Sequence, residues 1–140
     1  MPDRDDTFLQ HIEDLAEREG RYRREAYFFI YAALEYTVQA LQRDKTETEE
    51  RHVTGQELAR GIAEFAREQY GPMARMVFEY WGIRETLDFG RIVFSLVDEG
   101  LMRKTREDRL EDFQDVYDFE QMFDPKRIQN TPNKIDLERF

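Results

Sequence analysis

The sequence predicts a mainly α-helical domain with one short β-hairpin, and three observations lead to that fold class. Apolar residues recur at helical spacing through most of the chain before residue 100, and Gly or Pro residues separate the periodic segments. Aromatic residues make up 14% of the 140 residues, which favours a folded interior although 37% of the residues are charged. Length and pattern together indicate one compact helical domain over 1–123 and an extended C-terminal tail over 124–140.

Two helices are predicted in the first third of the chain. The first runs from about Thr7 to Glu19, because Ile12 and Leu15 share one face and Gly20 follows. The second runs from about Tyr22 to Arg43, where apolar residues occupy a broad arc of the helix surface. An arc of that width indicates a central helix that is covered on several sides.

The middle of the chain carries clear start and stop signals. Residues 45–51 are all polar or charged and are expected to form a loop. Thr54 and Glu57 have the spacing of a capping box, so a helix is expected to follow. Pro72 occupies the first position of a further helix, which ends before Gly82.

The last predicted helix, from Thr86 to Glu99, is largely apolar and is expected to be the most buried element. Gly90 interrupts it, which favours close packing against a neighbouring helix. Farther along, Leu101–Lys104 and Phe113–Phe119 are predicted to pair as a β-hairpin, and a helix over 108–117 is the competing interpretation. Helices followed by a hairpin have the element order of a winged helix, with the Thr86–Glu99 helix in the recognition position.

Several short motifs are specific enough for a comparison with a protein family. They are Arg21-Tyr22, Glu25-Ala26-Tyr27, His52-Val53-Thr54-Gly55-Gln56-Glu57-Leu58, Tyr70-Gly71-Pro72-Met73-Ala74, Trp81-Gly82-Ile83, Asp88-Phe89-Gly90-Arg91-Ile92-Val93-Phe94, Asp112-Phe113 and Tyr117-Asp118-Phe119. Together they resemble the Minf-type family of small uncharacterised bacterial proteins, over about Phe8 to Phe123. The resemblance implies a bacterial protein and brings no activity with it.

The charge balance is strongly acidic. The chain has 31 acidic and 21 basic residues, a net charge of −10. That charge repels nucleic acid and anionic membrane surfaces, so nucleic-acid binding is disfavoured and no membrane association is expected. Residues 1–6 lack the basic and apolar regions of a secretory signal, and the apolar stretch Ile92–Val97 is too short to span a bilayer. A cytoplasmic protein is therefore expected.

Cys, Ser and His, which commonly serve as nucleophiles, general bases or zinc ligands, are scarce in this chain. The chain has no Cys, its one Ser is Ser95 within a helix predicted to be buried, and no glycine-rich phosphate loop occurs. Of the two His residues, only His52 ends a Glu-x-x-His motif, whereas a di-iron bundle needs two such motifs. We predict no catalytic residue, no metal site and no cofactor, which favours a protein that is not an enzyme.

An acidic run between Glu107 and Asp124 is the strongest charge feature, and only Arg109 opposes it. We interpret this run as an electrostatic docking surface for a basic partner protein. Its assigned residues are Asp108, Glu111, Asp112, Asp115 and Asp118. The first hypothesis for function is a non-catalytic bacterial adaptor or regulatory domain that binds another protein through this acidic, aromatic-rich surface.

A basic cluster just before the acidic run supports a second hypothesis. On the predicted wing its cations would contact the phosphates of DNA, or of RNA in a ribonucleoprotein. The members of the cluster are Arg103, Lys104, Arg106 and Arg109.

The third hypothesis is an enzyme or small-ligand binder with a pocket near the single Trp. Asp88 and Arg91, at i and i+3 on one predicted helix, are expected to form an ion pair beside it. The residues assigned to this pocket are His52, Trp81, Asp88 and Arg91.

Overall fold

The computed structural model describes residues 4–43 and 52–126, which fold into helices joined by short turns. The α-helices are α1 (Arg4–Glu19), α2 (Arg24–Arg43), α3 (Gly55–Tyr70), α4 (Ala74–Tyr80), α5 (Thr86–Asp98) and α6 (Phe119–Met122). Short 3-10 segments precede α4, at Gly71–Met73, and α6, at Leu110–Phe113. The mainly helical class is therefore confirmed. The expected loop at 45–51, and the expected tail from 127 onward, lie outside the described residues.

Helix α3 begins where its capping box predicts. Thr54 Oγ1 accepts a hydrogen bond from the Glu57 N–H at 3.1 Å, and Glu57 Oε1 accepts one from the Thr54 N–H at 3.0 Å. The helix ends at Tyr70. Pro72 lies within the 3-10 turn Gly71–Met73 rather than at the first position of an α-helix, so α4 starts at Ala74.

Aromatic rings from distant parts of the chain meet around Phe78 of α4. The Phe78 side chain is fully buried, and its ring centroid lies 5.4–6.0 Å from those of five other rings. These rings belong to Phe29, Trp81, Phe89, Phe119 and Phe123. Contacts between aromatic side chains add to the apolar burial, so this cluster is the centre of the core.

Polar contacts attach α1 to the end of α5. His11 Nε2 and Arg18 Nη2 lie 2.8 Å and 2.6 Å from the two carboxylate oxygens of Glu99. Ser95 Oγ donates to Glu19 Oε2 at 2.7 Å. The hydrogen bond from His11 and the charge of Arg18 outweigh desolvation and hold the pKa of Glu99 below its usual value. These contacts thus join α1 to the C-terminal end of α5, the helix that the sequence predicts to be the most buried.

The β-hairpin predicted from Leu101–Lys104 and Phe113–Phe119 is wrong, because the described part of the chain contains no strand. The physical reason lies in the acidic side chains of this region. Asp108, Asp112 and Asp118 each accept a hydrogen bond from a nearby backbone N–H. Such local bonds favour turns and helix starts over a ladder between strands. Without a hairpin there is no wing, and the winged-helix interpretation loses its support.

The competing helix over 108–117 is found only as the 3-10 segment Leu110–Phe113. This segment packs on Gly90 of α5, where an added Cβ would lie 2.7 Å from Phe113 Cδ2. Asp115 has a φ of 49°, which no continuing helix allows. The close packing expected at Gly90 is therefore made with this segment and not with a neighbouring α-helix.

Thr86, the first residue of α5, holds the chain that follows the 3-10 segment. Its side chain is buried, and Oγ1 donates to the Phe113 carbonyl at 2.6 Å. The same oxygen accepts a hydrogen bond from the Val116 N–H at 3.1 Å. One hydroxyl thus satisfies two backbone groups in a region without strands.

Candidate functional site

A groove of about 630 Å³ opens between α2, the start of α3, the end of α5 and the loop 100–109. Sites that hold small molecules in proteins commonly enclose about 300–1,000 Å³. The apolar side chains that line this groove are Leu34, Val38, Val53, Leu58, Val93, Phe94, Leu101, Met102 and Phe113. The groove is therefore large enough, and apolar enough, to bind a small molecule.

Helical periodicity explains which side chains of α2 and α5 face the groove. Leu34 and Val38 are four residues apart on α2, so both point to the same side of that helix. Val93 and Phe94 lie in the second half of α5, whose sides are nearly all apolar. One side of α5 packs into the core through residues such as Ile92, and its neighbours are left to face the groove.

His52 and Asp108 meet at the groove across a long sequence separation. His52 Nε2 lies 2.9 Å from Asp108 Oδ1, and Asp108 Oδ2 accepts the Thr105 N–H at 2.7 Å. Burial raises the pKa of Asp108, but the hydrogen bonds from His52 and Thr105 outweigh it and hold this pKa below its usual value. The pair ties the segment before α3 to the loop 100–109.

In nucleophilic catalysis a His–Asp pair activates a side-chain nucleophile that lies within hydrogen-bond reach of the imidazole. Ser95 does not line the groove, and its hydroxyl donates to Glu19. Thr54 does line the groove, but its oxygen already accepts the Glu57 N–H as a helix cap. The arrangement around His52 is suited to holding the loop in place.

Two of the four residues in the predicted basic cluster line the groove. Lys104 Nζ lies 5.9 Å from the centroid of the Phe94 ring and donates to the Thr105 carbonyl at 3.2 Å. The guanidinium of Arg103 is exposed. Neither cation forms an ion pair with a carboxylate of the described residues. Arg106 and Arg109 are exposed outside the groove lining.

Three of the five carboxylates assigned to the acidic docking surface have structural roles. Asp108, Asp112 and Asp118 each bind a backbone N–H and so fix the local turns. Glu111 and Asp115 are exposed, and no hydrogen bond or ion pair joins their side chains to another described residue. Asp118 is exposed as well, and the assignment of these five carboxylates to a docking surface stays a prediction.

The residues assigned to a pocket near Trp81 separate into different environments. Trp81 is buried beside Phe78, with 5.9 Å between its ring centroid and that of Tyr70. The predicted ion pair between Asp88 and Arg91 is confirmed, with 2.7 Å between Oδ1 and Nη1. Of the four residues assigned to this pocket, only His52 lines the groove.

Asp88 has a partner that no sequence pattern indicates. Its carboxylate is buried, and Oδ1 accepts a hydrogen bond from the Tyr22 hydroxyl at 2.5 Å. Oδ2 accepts the backbone N–H groups of Arg84 and Glu85 at the start of α5. Burial raises the pKa of Asp88, yet the bonds from Tyr22, Arg84 and Arg91 outweigh it and hold the pKa below its usual value. Asp88 therefore joins the turn before α2 to the start of α5.

Comparisons with known proteins supply no functional assignment, so the groove is the basis for one. Neither protein-family models nor curated proteins nor solved structures give a match to this chain. Among residues 4–43 and 52–126, no three His, Asp or Glu side chains are grouped as metal ligands. Across the same ranges, every helix is too short or too polar to cross a bilayer. The resemblance to the Minf-type family stays a prediction.

Proposed function

We propose that this protein is a non-catalytic regulatory domain that binds a small molecule with an apolar body in the groove. The observation that carries the proposal is the groove itself, about 630 Å³ with walls contributed by α2, α3 and α5. Transfer of a ligand from water to such walls yields about 25 cal/mol for each Å² of apolar surface buried. A short alkyl chain or an aromatic ring fits this description.

Two further features support binding rather than catalysis. The His52–Asp108 pair is engaged in holding the loop 100–109, and Asp108 also binds the Thr105 N–H. Phe94 and Leu101 are only half-buried although they contact the core, so apolar surface is left facing the groove. A ligand that covers this surface stabilises the folded state, because it binds the folded chain and not the unfolded one.

Octanol is the probe for this proposal, because it is neutral and mostly apolar. We expect saturable changes in the methyl NMR signals of Val38, Val93 and Met102 when octanol is added. We also expect the free energy of unfolding to rise by about 1.4 kcal/mol at ten times the dissociation constant. Methyl signals that move without saturation, or that move throughout the core, would contradict the proposal.

A groove-filling variant provides the matched control. Val38→Trp places an indole in the groove from α2, and we expect it to abolish the octanol-dependent shifts while the protein stays folded. Ala32→Trp adds the same side chain at an exposed position of α2 that does not line the groove. This second variant should bind octanol as the unaltered protein does. Equal binding by both variants would place the octanol site elsewhere.

A further inference from the structure

The cations of the groove have donors to spare, whereas its carboxylates already have partners. Arg103 and Lys104 line the groove, and neither is paired with a described carboxylate. Glu35, Asp108 and Asp112 line it as well. Each of these carboxylates accepts a hydrogen bond from within the protein, at 3.3 Å, 2.7 Å and 2.9 Å respectively. Arg103 and Lys104 therefore keep donors for hydrogen-bond acceptors that a ligand supplies.

Lys104 marks the place where the apolar wall ends and the charged rim begins. Its ammonium lies over the ring of Phe94, and its neighbour Arg103 is exposed on the same rim. The contact with the ring places the ammonium of this exposed side chain at the edge of the apolar wall, where it can pair with an anion. A guanidinium adds planar paired donors that match a carboxylate or a phosphate.

We propose that the ligand of the groove is a small amphipathic anion, an alkyl or aryl body that carries one carboxylate or phosphate group. This inference rests on the proposed function and specifies the chemistry of its ligand. The body contacts Leu34, Val38 and Phe94, and the anionic group accepts hydrogen bonds from Arg103 and Lys104.

The net charge of −10 opposes this assignment at long range but not at contact distance. Interactions between exposed charges fall off over about 10 Å at 0.1 M salt. An anion hydrogen-bonded to Arg103 and Lys104 lies within about 3 Å of its donors, where screening is weakest. At moderate salt the acidic residues outside the groove are largely screened. The preference is then decided inside the groove, where Arg103 and Lys104 keep free donors while Glu35, Asp108 and Asp112 each already accept a hydrogen bond.

The test compares ligands that share one octyl chain and differ in charge, namely octanoate, octyl phosphate, octanol and octylammonium. We expect both anions to bind about tenfold more tightly than octanol, the gain of charge-assisted hydrogen bonds at a partly exposed site. Octylammonium should bind more weakly than octanol. The dissociation constants come from the methyl NMR titration at moderate salt.

Variants then assign the preference to the rim. Arg103→Gln combined with Lys104→Gln should bring octanoate binding down to the level of octanol, with octanol binding unchanged. Retained octanol binding also shows that the double variant is folded. Arg106→Gln removes an exposed cation of the same loop that does not line the groove, and it should keep the preference for anions.

Each outcome decides a different claim. Octanol binding without a preference for the anions overturns the ligand class and leaves the proposed function standing. Tightest binding by octylammonium also overturns it, because the carboxylates of the groove would then be the recognising groups. If none of the four compounds binds, the proposed function itself is lost.

Discussion

Gly61 of α3 lies so close to Thr37 of α2 that an added Cβ would be 1.8 Å from Thr37 Oγ1. Thr37 is buried, and its hydroxyl donates to the Ala33 carbonyl at 2.7 Å. Ala at position 61 would gain about 1 kcal/mol of helix propensity, but overpacking a buried contact costs more. We expect Gly61→Ala to lower the free energy of unfolding by about 2 kcal/mol, measured by urea denaturation.

A double variant tests whether Thr37 is the obstacle. Thr37→Ala removes the nearest atom, so Gly61→Ala combined with Thr37→Ala should be more stable than Gly61→Ala alone. Gln69→Ala, an exposed change on α3, should leave stability within about 0.5 kcal/mol. If the second substitution brings no recovery, the close approach of Gly61 and Thr37 is not what limits position 61.

The buried carboxylate of Asp88 predicts a pH-dependent stability. Its folded pKa lies below the unfolded value of about 3.9, so its contribution is present above that value and is lost as pH falls through the folded pKa. Asp88→Asn should cost about 2 kcal/mol at pH 7, because the charge-assisted bonds from Tyr22 and Arg91 are weakened. The deficit should shrink below about pH 4.

Asp115→Asn is the control for that measurement. Asp115 is exposed, and Asn tolerates its positive φ of 49°. Urea unfolding of this variant should match that of the unaltered protein at every pH. A deficit of Asp88→Asn that stays constant down to pH 2 would contradict the role given to the ionised carboxylate.

Buried phenols predict a loss of stability in alkali. Burial, with the Asp88 and Glu19 hydrogen bonds next, raises the pKa of Tyr22 and of Tyr27, and burial raises that of Tyr117. The pKa of each of these phenols is higher in the folded protein than the value of about 10 in the unfolded chain. Each phenol therefore stabilises the folded state fully below about pH 10, and this stabilisation is lost as pH rises from there through the folded pKa. Tyrosinate absorbance should therefore appear in two phases, and the later phase should coincide with unfolding.

Tyr117→Phe separates ionisation from packing. The hydroxyl of Tyr117 donates to the Ala59 carbonyl at 2.6 Å, so its loss should cost about 1 kcal/mol at pH 7. Phe cannot ionise, and the deficit should decrease as pH rises above about 10. A deficit that is independent of pH would mean that the folded protein ionises Tyr117 as readily as the unfolded chain.

Sequence patterns predicted those features whose partners are near in the chain. Thr54 with Glu57, and Asp88 with Arg91, are separated by one helical turn, and both pairs were predicted correctly. Tyr22 meets Asp88 across 66 residues, where periodicity carries no information about contact. The groove escaped prediction for the same reason, since its walls come from helices far apart in sequence.

The β-hairpin prediction is wrong for a reason that the sequence itself contains. Phe113 to Phe119 alternates apolar and polar residues only in part, and Asp residues recur through it and the preceding segment. Each Asp that caps a backbone N–H offers the chain an alternative to strand pairing, as Asp112 and Asp118 do. The local hydrogen bonding of frequent Asp residues is therefore a signal against a strand in this segment.

We expect loss of the Asp108 carboxylate to affect the loop around it more than the stability of the whole protein. Asp108→Ala removes the acceptor of the Thr105 N–H and the partner of His52, so the amide hydrogen exchange of Thr105 should accelerate. The pair is partly exposed, and the free energy of unfolding should fall by only about 1 kcal/mol. Glu107→Ala changes an exposed neighbouring side chain and should leave that exchange rate as it is. A slow Thr105 amide in Asp108→Ala would assign its protection to another group.

The ring of Phe78 has consequences for how the chain is made. Two of its neighbours, Phe119 and Phe123, are synthesised long after the helix that carries Phe78. A nascent chain that has exposed only α1 to α5 therefore holds an interior with two rings missing. We expect the protein to reach its final stability only after residue 123 has left the ribosome. Until then, chaperones can bind the apolar surface that Phe119 and Phe123 later cover.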